Sequence, residues 1–400
     1  MDEKKKFLLQ YYAIYFLKGF LFLKQYLVLL LNSTLTPVQV SLIISTFSIM
    51  SALVEIPTGA ISDYFGCKKS LISGILFYII GYILIFFEKN FFTFCIFYSF
   101  CGLYETIFSG SKESLLYNNI KYLDIMNEFI KYKSRAKIIH YFALMISAFL
   151  AGILMKYDNM DYLILIDIFV LILYLMVIIS MNEHSNENLK KLNTDYLKSI
   201  KNGFRYICRH RTLRNFILFE GVWYGIWMIF INYSSLFYKE IEFSFMSVGK
   251  MIPLQVLLVA LMQAALIDYF IKKDVYNSAR LFLVGGIFCI LSVYIYNECG
   301  LLCYIMNILY FFCIQSGDLL FYPKIQRLIP AKSRSIIVSI SSFIDSMSKL
   351  LFLRFFGLIS AKYSYRMGFM FLAYAYAVLV LIFYILFTKD KHLRKIKDNL

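Results

Sequence analysis

Residues 55–71 read EIPTGAISDYFGCKKSL and join the end of one long apolar segment to the start of the next. One acid (Asp63), two lysines (Lys68, Lys69) and two glycines (Gly59, Gly66) sit at the join. A turn between two membrane-spanning helices needs these parts. Glycines let backbones approach and turn. Lysines hold the turn on the cytoplasmic side of a bilayer. A lone acid caps a helix start or bonds across to a neighbouring bundle.

Composition outward from this join sets the class. The chain has 400 residues, of which 60% are hydrophobic, 19% aromatic and only 16% charged. A soluble domain could not cover so much apolar surface, so the class is integral membrane protein. Eight cysteines are scattered, mostly within apolar segments and without a C-x-x-C pair. Neither a zinc site nor a disulfide framework follows, and the thiols are expected to serve as small buried apolar groups.

A span needs about 20 apolar residues. Such spans are expected at 7–31, 38–60, 71–87, 91–117, 138–156 and 162–181, and again at 214–237, 248–271, 280–297, 301–322, 336–360 and 366–387. The first follows the charged start MDEKKK. It is too long for a signal peptide and lacks a small-residue cleavage site, so it is expected to be a retained helix. The pattern gives an all-α membrane protein of twelve helices in two bundles, 1–181 and 214–400. A polar connector at 182–213 carries a short amphipathic helix near 196–206. Thirty of the 41 Lys and Arg residues fall on segments that would face the cytoplasm if the N-terminus does, against six on the opposite loops and their edges (Lys89, Lys156, Lys239, Lys250, Lys362, Arg366). Both termini are therefore expected in the cytoplasm. The formal charge of +16 is a topology signal rather than a nucleic-acid footprint. A weak internal repeat supports two halves: Asp63-Tyr64-Phe65 precedes Lys68-Lys69, and Asp268-Tyr269-Phe270 precedes Lys272-Lys273.

The 55–71 stretch resembles the loop between helices 2 and 3 of the major facilitator superfamily of secondary transporters, whose pattern is G-x-L-A-D-R-x-G-R-K-x-x-L. Gly59, Asp63, Gly66, Lys68 and Leu71 match, Ile61 and Ser62 are conservative stand-ins, and Tyr64 and Cys67 replace the two arginines. Ser109 to Tyr117 (SGSKESLLY) resembles the S-G-S-x-E-A-L-x-Y pattern of a bacterial branch whose helix 2 ends in E-I-P-T-G, and Ile329-Pro330 with Arg334 resembles the start of helix 11. The resemblance implies two pseudo-symmetric six-helix bundles, each built of inverted three-helix repeats, rocking about a midplane site lined by helices 1, 4, 7 and 10. Two departures stand out. Helix 5 lacks the Gly-Pro signature of drug/proton antiporters, and helix 4 lacks their arginine.

Ionisable groups inside spans are costly and default to functional candidates. At about 1.5 Å per residue, Lys18 in helix 1 lies roughly 16 Å from the inner end of its span and Glu105 in helix 4 roughly 18 Å. On the implied fold they stand at similar depth and form the leading candidate pair. The competing reading has Lys18 snorkelling and Glu105 protonated. Glu220 in helix 7 is a candidate proton or substrate carboxylate, whereas Asp318 reads as a helix-end acid. Asp345 and Lys349, spaced i, i+4, read as a structural pair. Trp223 and Trp227 could stack on an aromatic or cationic solute, with plain helical packing as the alternative. Glu55, Asp63 and Glu113, with Lys112, Lys68 and Lys69, would form a cytoplasmic latch. The competing reading is loop-end charges worth little each. The four histidines (His140, His184, His210, His392) fall at loops, helix ends or the tail and form no triad or metal pattern. No phosphate-cradling glycine loop exists.

The expectation is a non-enzymatic plasma-membrane transporter exporting a small amphipathic organic solute by alternating access. Nutrient uptake by symport, or a transport-inactive sensor or scaffold of the same fold, are the alternatives. No cofactor or metal is called for; a proton or other ion gradient supplies the energy. The expected partners are the solute and membrane lipid, with no nucleic acid, and one chain is expected to suffice.

Overall fold

A computed structural model describes residues 3–123, 129–154, 160–182, 196–240, 245–271, 275–296, 298–329 and 334–389. Fifteen α-helices are present among them and no strand. In chain order these are α1 (Glu3–Gly19), α2 (Leu27–Thr34), α3 (Pro37–Phe65), α4 (Cys67–Phe87), α5 (Phe91–Tyr122), α6 (Phe129–Leu154), α7 (Met160–Ser180) and α8 (Tyr196–Arg209). There follow α9 (Arg211–Asn232), α10 (Ser234–Glu240), α11 (Phe245–Ile271), α12 (Val275–Tyr294), α13 (Gly300–Leu328), α14 (Arg334–Lys362) and α15 (Tyr365–Lys389). By length and composition eight of them cross a membrane, and shorter apolar stretches run over Ile138–Leu154 in α6, Lys250–Gln263 in α11 and Ala279–Tyr294 in α12. The first turns of α6 carry Lys131, Lys133, Arg135 and Lys137, which is why its apolar part is short.

One expected span is corrected. Residues 7–31 are not a single helix: α1 stops at Gly19, a single 3-10 turn occupies Leu23–Gln25, and α2 starts at Leu27. Irregular backbone at membrane depth survives only where protein buries it and satisfies its polar groups. Phe22 and Leu23 are 4% and 0% exposed. The seventh expected span is likewise interrupted, at Tyr233 between α9 and α10.

The 55–71 stretch is almost all helix. α3 ends at Phe65, α4 starts at Cys67, and Gly66 alone joins them with φ 90° and ψ 150°. That conformation is open essentially only to glycine. The helices meet with no loop because Gly66 reverses the backbone in one residue. Both copies of Asp-Tyr-Phe occupy the last turn of a helix, α3 in one case and α11 in the other.

The chain divides into two compact units. The first comprises Met1–Leu35, Leu42–Thr194 and Phe243–Leu254; the second comprises Thr36–Ser41, Asp195–Glu242 and Gln255–Leu400. In the first, α1 packs on α6 and α7, and α4 packs on α5 and α7. α3 approaches α5 closely at Gly102, where Ser51 Oγ donates to the Gly102 carbonyl (3.4 Å) and Thr46 Oγ1 to that of Cys95 (3.1 Å). In the second, α12 packs on α13 and α15, α9 packs on α14 and α15, and the amphipathic α8 lies against α14. The core of this unit is aromatic. Phe219 stacks on Phe383 at 3.6 Å, and Phe216, Phe282 and Phe321 meet them edge-on or tilted. Each such ring pair adds about 0.5–1.5 kcal/mol beyond the area it buries.

Candidate functional site

The site begins with the helix 1 break. Ending α1 at Gly19 frees carbonyls, and starting again at Leu23 frees N–H groups. Two neighbouring helices satisfy both. From α6, Ser147 Oγ donates to the Gly19 carbonyl (3.0 Å), and His140 lies with Nδ1 3.2 Å from the Tyr15 carbonyl. A carbonyl only accepts, so Nδ1 carries the proton. From α7, the Asp167 carboxylate accepts Phe22 N–H (2.7 Å) and Leu23 N–H (3.0 Å), and the Tyr82 hydroxyl also hydrogen-bonds to it. Asp167 is fully buried. The close contact of α1 with α6 depends on Gly19, because a Cβ there would collide with the His140 carbonyl.

The break places two lysines on either side of one acid. Lys18, in the last turn of α1, donates to Glu105 Oε2 at 2.6 Å; Lys24, in the 3-10 turn, stands 3.4 Å from Glu105 Oε1. Glu105 lies near the middle of α5. Lys18 Nζ also sits 4.0 Å over the Phe108 ring and 5.8 Å from that of Tyr104. Lys112 approaches Phe108 (4.8 Å) and Tyr15 (4.5 Å) as well. Such contacts suit cations partly withdrawn from water. The Lys18, Lys24 and Glu105 side chains are 16%, 53% and 28% exposed. Charges within an apolar span are costly against acyl chains and need partners, which Glu105 supplies to both lysines.

The other expected residues are placed as follows. In the second unit, Glu220 on α9 accepts a hydrogen bond from Ser341 Oγ of α14 (3.1 Å), and the Asp318 carboxylate of α13 is near enough to repel it. A helix-end reading of Asp318 does not anticipate this repulsion between acids of α9 and α13. Trp223 is 2% exposed and packs on Phe282 (5.2 Å) and Trp227 (6.0 Å); Trp227 is half-buried. Asp345 and Lys349 both lie against α9. Asp345 Oδ1 would stand 3.4 Å from a Cβ on Gly221, and the Lys349 backbone packs on Gly225.

Of the motif at the first join, Gly66 makes the turn. Lys68 Nζ donates to the Ile179 (2.6 Å) and Met181 (2.8 Å) carbonyls and so caps the C-terminus of α7, where a cation is favoured. Glu55 is half-buried and Lys69 exposed. The side chains of Asp63 and Glu113 lie outside the described residues, as does the side chain at every position from 56 to 65, Gly59 included as backbone only. His140 is a correction: α6 begins at Phe129, nine residues earlier than its apolar stretch, so His140 is interior to a helix rather than at its end. His184 and His392 lie outside the described residues.

Three groups escaped the sequence reading. Asp167 and Lys24 are ionisable residues within expected spans, and the rule that singled out Lys18 and Glu105 would have found them. The third is a buried triangle on α10, α11 and α13: the Tyr238 hydroxyl lies 2.8 Å from both Gln255 Oε1 and Asn307 Oδ1, of which it can donate to one, and Gln255 Nε2 donates to Asn307 Oδ1 (2.9 Å). Neutral polar residues in apolar runs give little warning of such a network. Among the described residues no cluster of three His, Cys, Asp or Glu side chains could hold a metal.

Long apolar helices and a helix break buried by protein, with a partly buried charged cluster beside it, are features of a multi-pass helical membrane protein. A family model for the Major Facilitator Superfamily matches residues 8–329, and the chain belongs to that family. It is a transporter and not an enzyme. Its fold is similar to that of several solved structures. A mutant of the nucleoside transporter NupG superposes with TM-score 0.81 at 11% identity, covering 95% of this chain and 100% of the other. A D-xylose-proton symporter gives 0.77 at 13% (97% and 98% covered). A POT family transporter in complex with 5-aminolevulinic acid gives 0.66 at 12% (96% and 95% covered). At such identities the likeness concerns the fold alone. Comparison with curated proteins finds no match.

Proposed function

We propose that this chain moves a small organic solute across the plasma membrane by alternating access, driven by a proton or other ion gradient, with Lys18, Lys24 and Glu105 on the solute path. One observation carries the reading: a partly buried Lys18–Glu105 ion pair of 2.6 Å, flanked by the exposed Lys24. A buried ion pair stabilises little compared with apolar residues in its place, so a pair kept within an apolar span favours a role on the solute path. Phe108 and Tyr104 beside Lys18 suit a solute with an apolar body as well as a polar head. Glu220, repelled by Asp318 and bonded by Ser341, is the proposed proton site. Export is the proposed direction. Uptake by symport is the second reading, favoured by the fold's likeness to a nucleoside transporter and to a D-xylose-proton symporter. The chain is proposed to act as a monomer in the lipid, with both termini cytoplasmic.

The test is flux in proteoliposomes of purified protein under an imposed proton gradient. Lys18→Ala and Glu105→Ala are each expected to lower solute flux at least tenfold while the protein still purifies as a folded monomer. Wild-type flux in both variants would remove the pair from the transport path. Resistance of overexpressing cells to a panel of toxic compounds separates export from uptake.

A further inference from the structure

Two ammonium groups share one carboxylate at this site, and we infer from that imbalance that the transported solute carries a negatively charged head, a carboxylate or a phosphate, on an apolar body. The inference rests on the reading that this cluster lies on the solute path, and it adds the charge class that the reading leaves open.

The charge ledger is short. Glu105 gives Oε2 to Lys18 and Oε1 to Lys24, so the three groups together carry one positive charge in excess. Among the described residues no other carboxylate lies within ion-pair distance of Lys18 or Lys24. The Asp167 carboxylate is engaged by the Phe22 and Leu23 N–H groups and the Tyr82 hydroxyl, and His140 supplies its Nδ1 proton to the Tyr15 carbonyl. An excess cation at membrane depth is costly, and an anion completes the site by removing that cost.

Geometry assigns the two lysines different parts. Lys18 is mostly buried, held at 2.6 Å by Glu105 and covered by Phe108, so it acts as a fixed anchor. Lys24 is half-exposed and its contact with Glu105 is 3.4 Å, long for a charge-assisted bond. Lys24 is therefore the group that can turn to an incoming anion. It is also well placed: its backbone lies in the 3-10 turn that Asp167 pins. An ammonium is a point charge without the fork geometry of arginine, so it accepts a carboxylate or a phosphate alike.

The experiment uses purified full-length protein and matched aromatic probes at millimolar concentration: benzoate and phenyl phosphate as anions, benzamide as the neutral counterpart and benzyltrimethylammonium as the cation. Binding is read by thermal shift and by competition for flux in proteoliposomes. At least one anion is expected to raise the melting temperature, and the neutral and cationic probes are not. Lys24→Gln is expected to weaken that anion at least tenfold while leaving the unliganded melting temperature near wild type, because Lys24 is half-exposed. Lys24→Glu reverses the excess charge and is expected to turn the preference toward the cation. Probes that bind equally whatever their charge, no anion that binds, or anion binding unchanged in Lys24→Gln would each overturn the inference. The two readings fail differently. If neutral or cationic solutes move and their flux needs Lys18 and Glu105, the site stands and the anion assignment falls. If Lys18→Ala and Glu105→Ala leave flux intact, the site itself falls.

Discussion

Asp167 holds the helix 1 break together. Its two oxygens take the Phe22 and Leu23 N–H groups, which have no other acceptor once α1 has ended. A buried donor left unsatisfied costs about 1–3 kcal/mol, so Asp167→Ala is expected to destabilise the protein by about 2–5 kcal/mol. Asp167→Asn keeps one acceptor oxygen and should lose about half as much. Thermal unfolding in detergent measures both, and faster hydrogen exchange at the Phe22 and Leu23 amides would localise the effect. An unchanged melting temperature in Asp167→Ala would show that the break is held by other contacts. The Lys18–Glu105 pair follows from reasoning confined to single residues: two intramembrane charges at matched depth seek each other. The same reasoning applied to the run LILIDIFVL at 163–171 points to Asp167 as a group needing partners, but nothing in the sequence says that those partners are backbone amides.

Among the elements, the α3–α4 junction shows how local sequence becomes geometry. Gly66 is the sole residue between two helices and adopts φ 90° and ψ 150°. A side chain in that region costs about 1–3 kcal/mol. Gly66→Ala is therefore expected to lower stability by that amount and to reduce the yield of folded protein; thermal unfolding beside wild type checks it, and no loss would mean that the junction relaxes to another turn. Lys68, two residues on, fixes the start of α4 to the end of α7 through two carbonyls. Apolar length and flanking charge make most helices legible. The interruptions in spans 1 and 7 are not, because residues 20–26 are as apolar as their surroundings apart from Lys24 and Gln25. The break depends on what α6 and α7 offer, and hydropathy along one segment cannot register that.

For the whole molecule, the distribution of Lys and Arg over alternate loops is the main constraint on orientation. Thirty on one set of segments against six on the other leads to the proposal, by the positive-inside tendency, that both ends of the chain lie in the cytoplasm. Single-cysteine or epitope accessibility at the two ends in intact cells and in inside-out vesicles is expected to label both only from the cytoplasmic side. Ends found on opposite sides would require an odd number of spans and would undo the arrangement of two bundles. The family match over residues 8–329 and the fold likeness at 10–13% identity show the usual asymmetry of this class. The architecture persists because bilayer thickness and backbone satisfaction dictate it, while the residues that select a solute are free to change.

The amino-acid order settled the membrane class, the approximate spans and their spacing, and the superfamily motif around Asp63 and Gly66. These are local quantities, written in runs of apolar residues and short patterns. Folding in three dimensions decided what meets at the site: that one acid, Glu105, serves two lysines, that Asp167 reaches an amide 145 residues away in the chain, and that Glu220 is near enough to Asp318 to be repelled by it. Which charges satisfy one another depends on distances between helices, and a linear pattern carries no such distance.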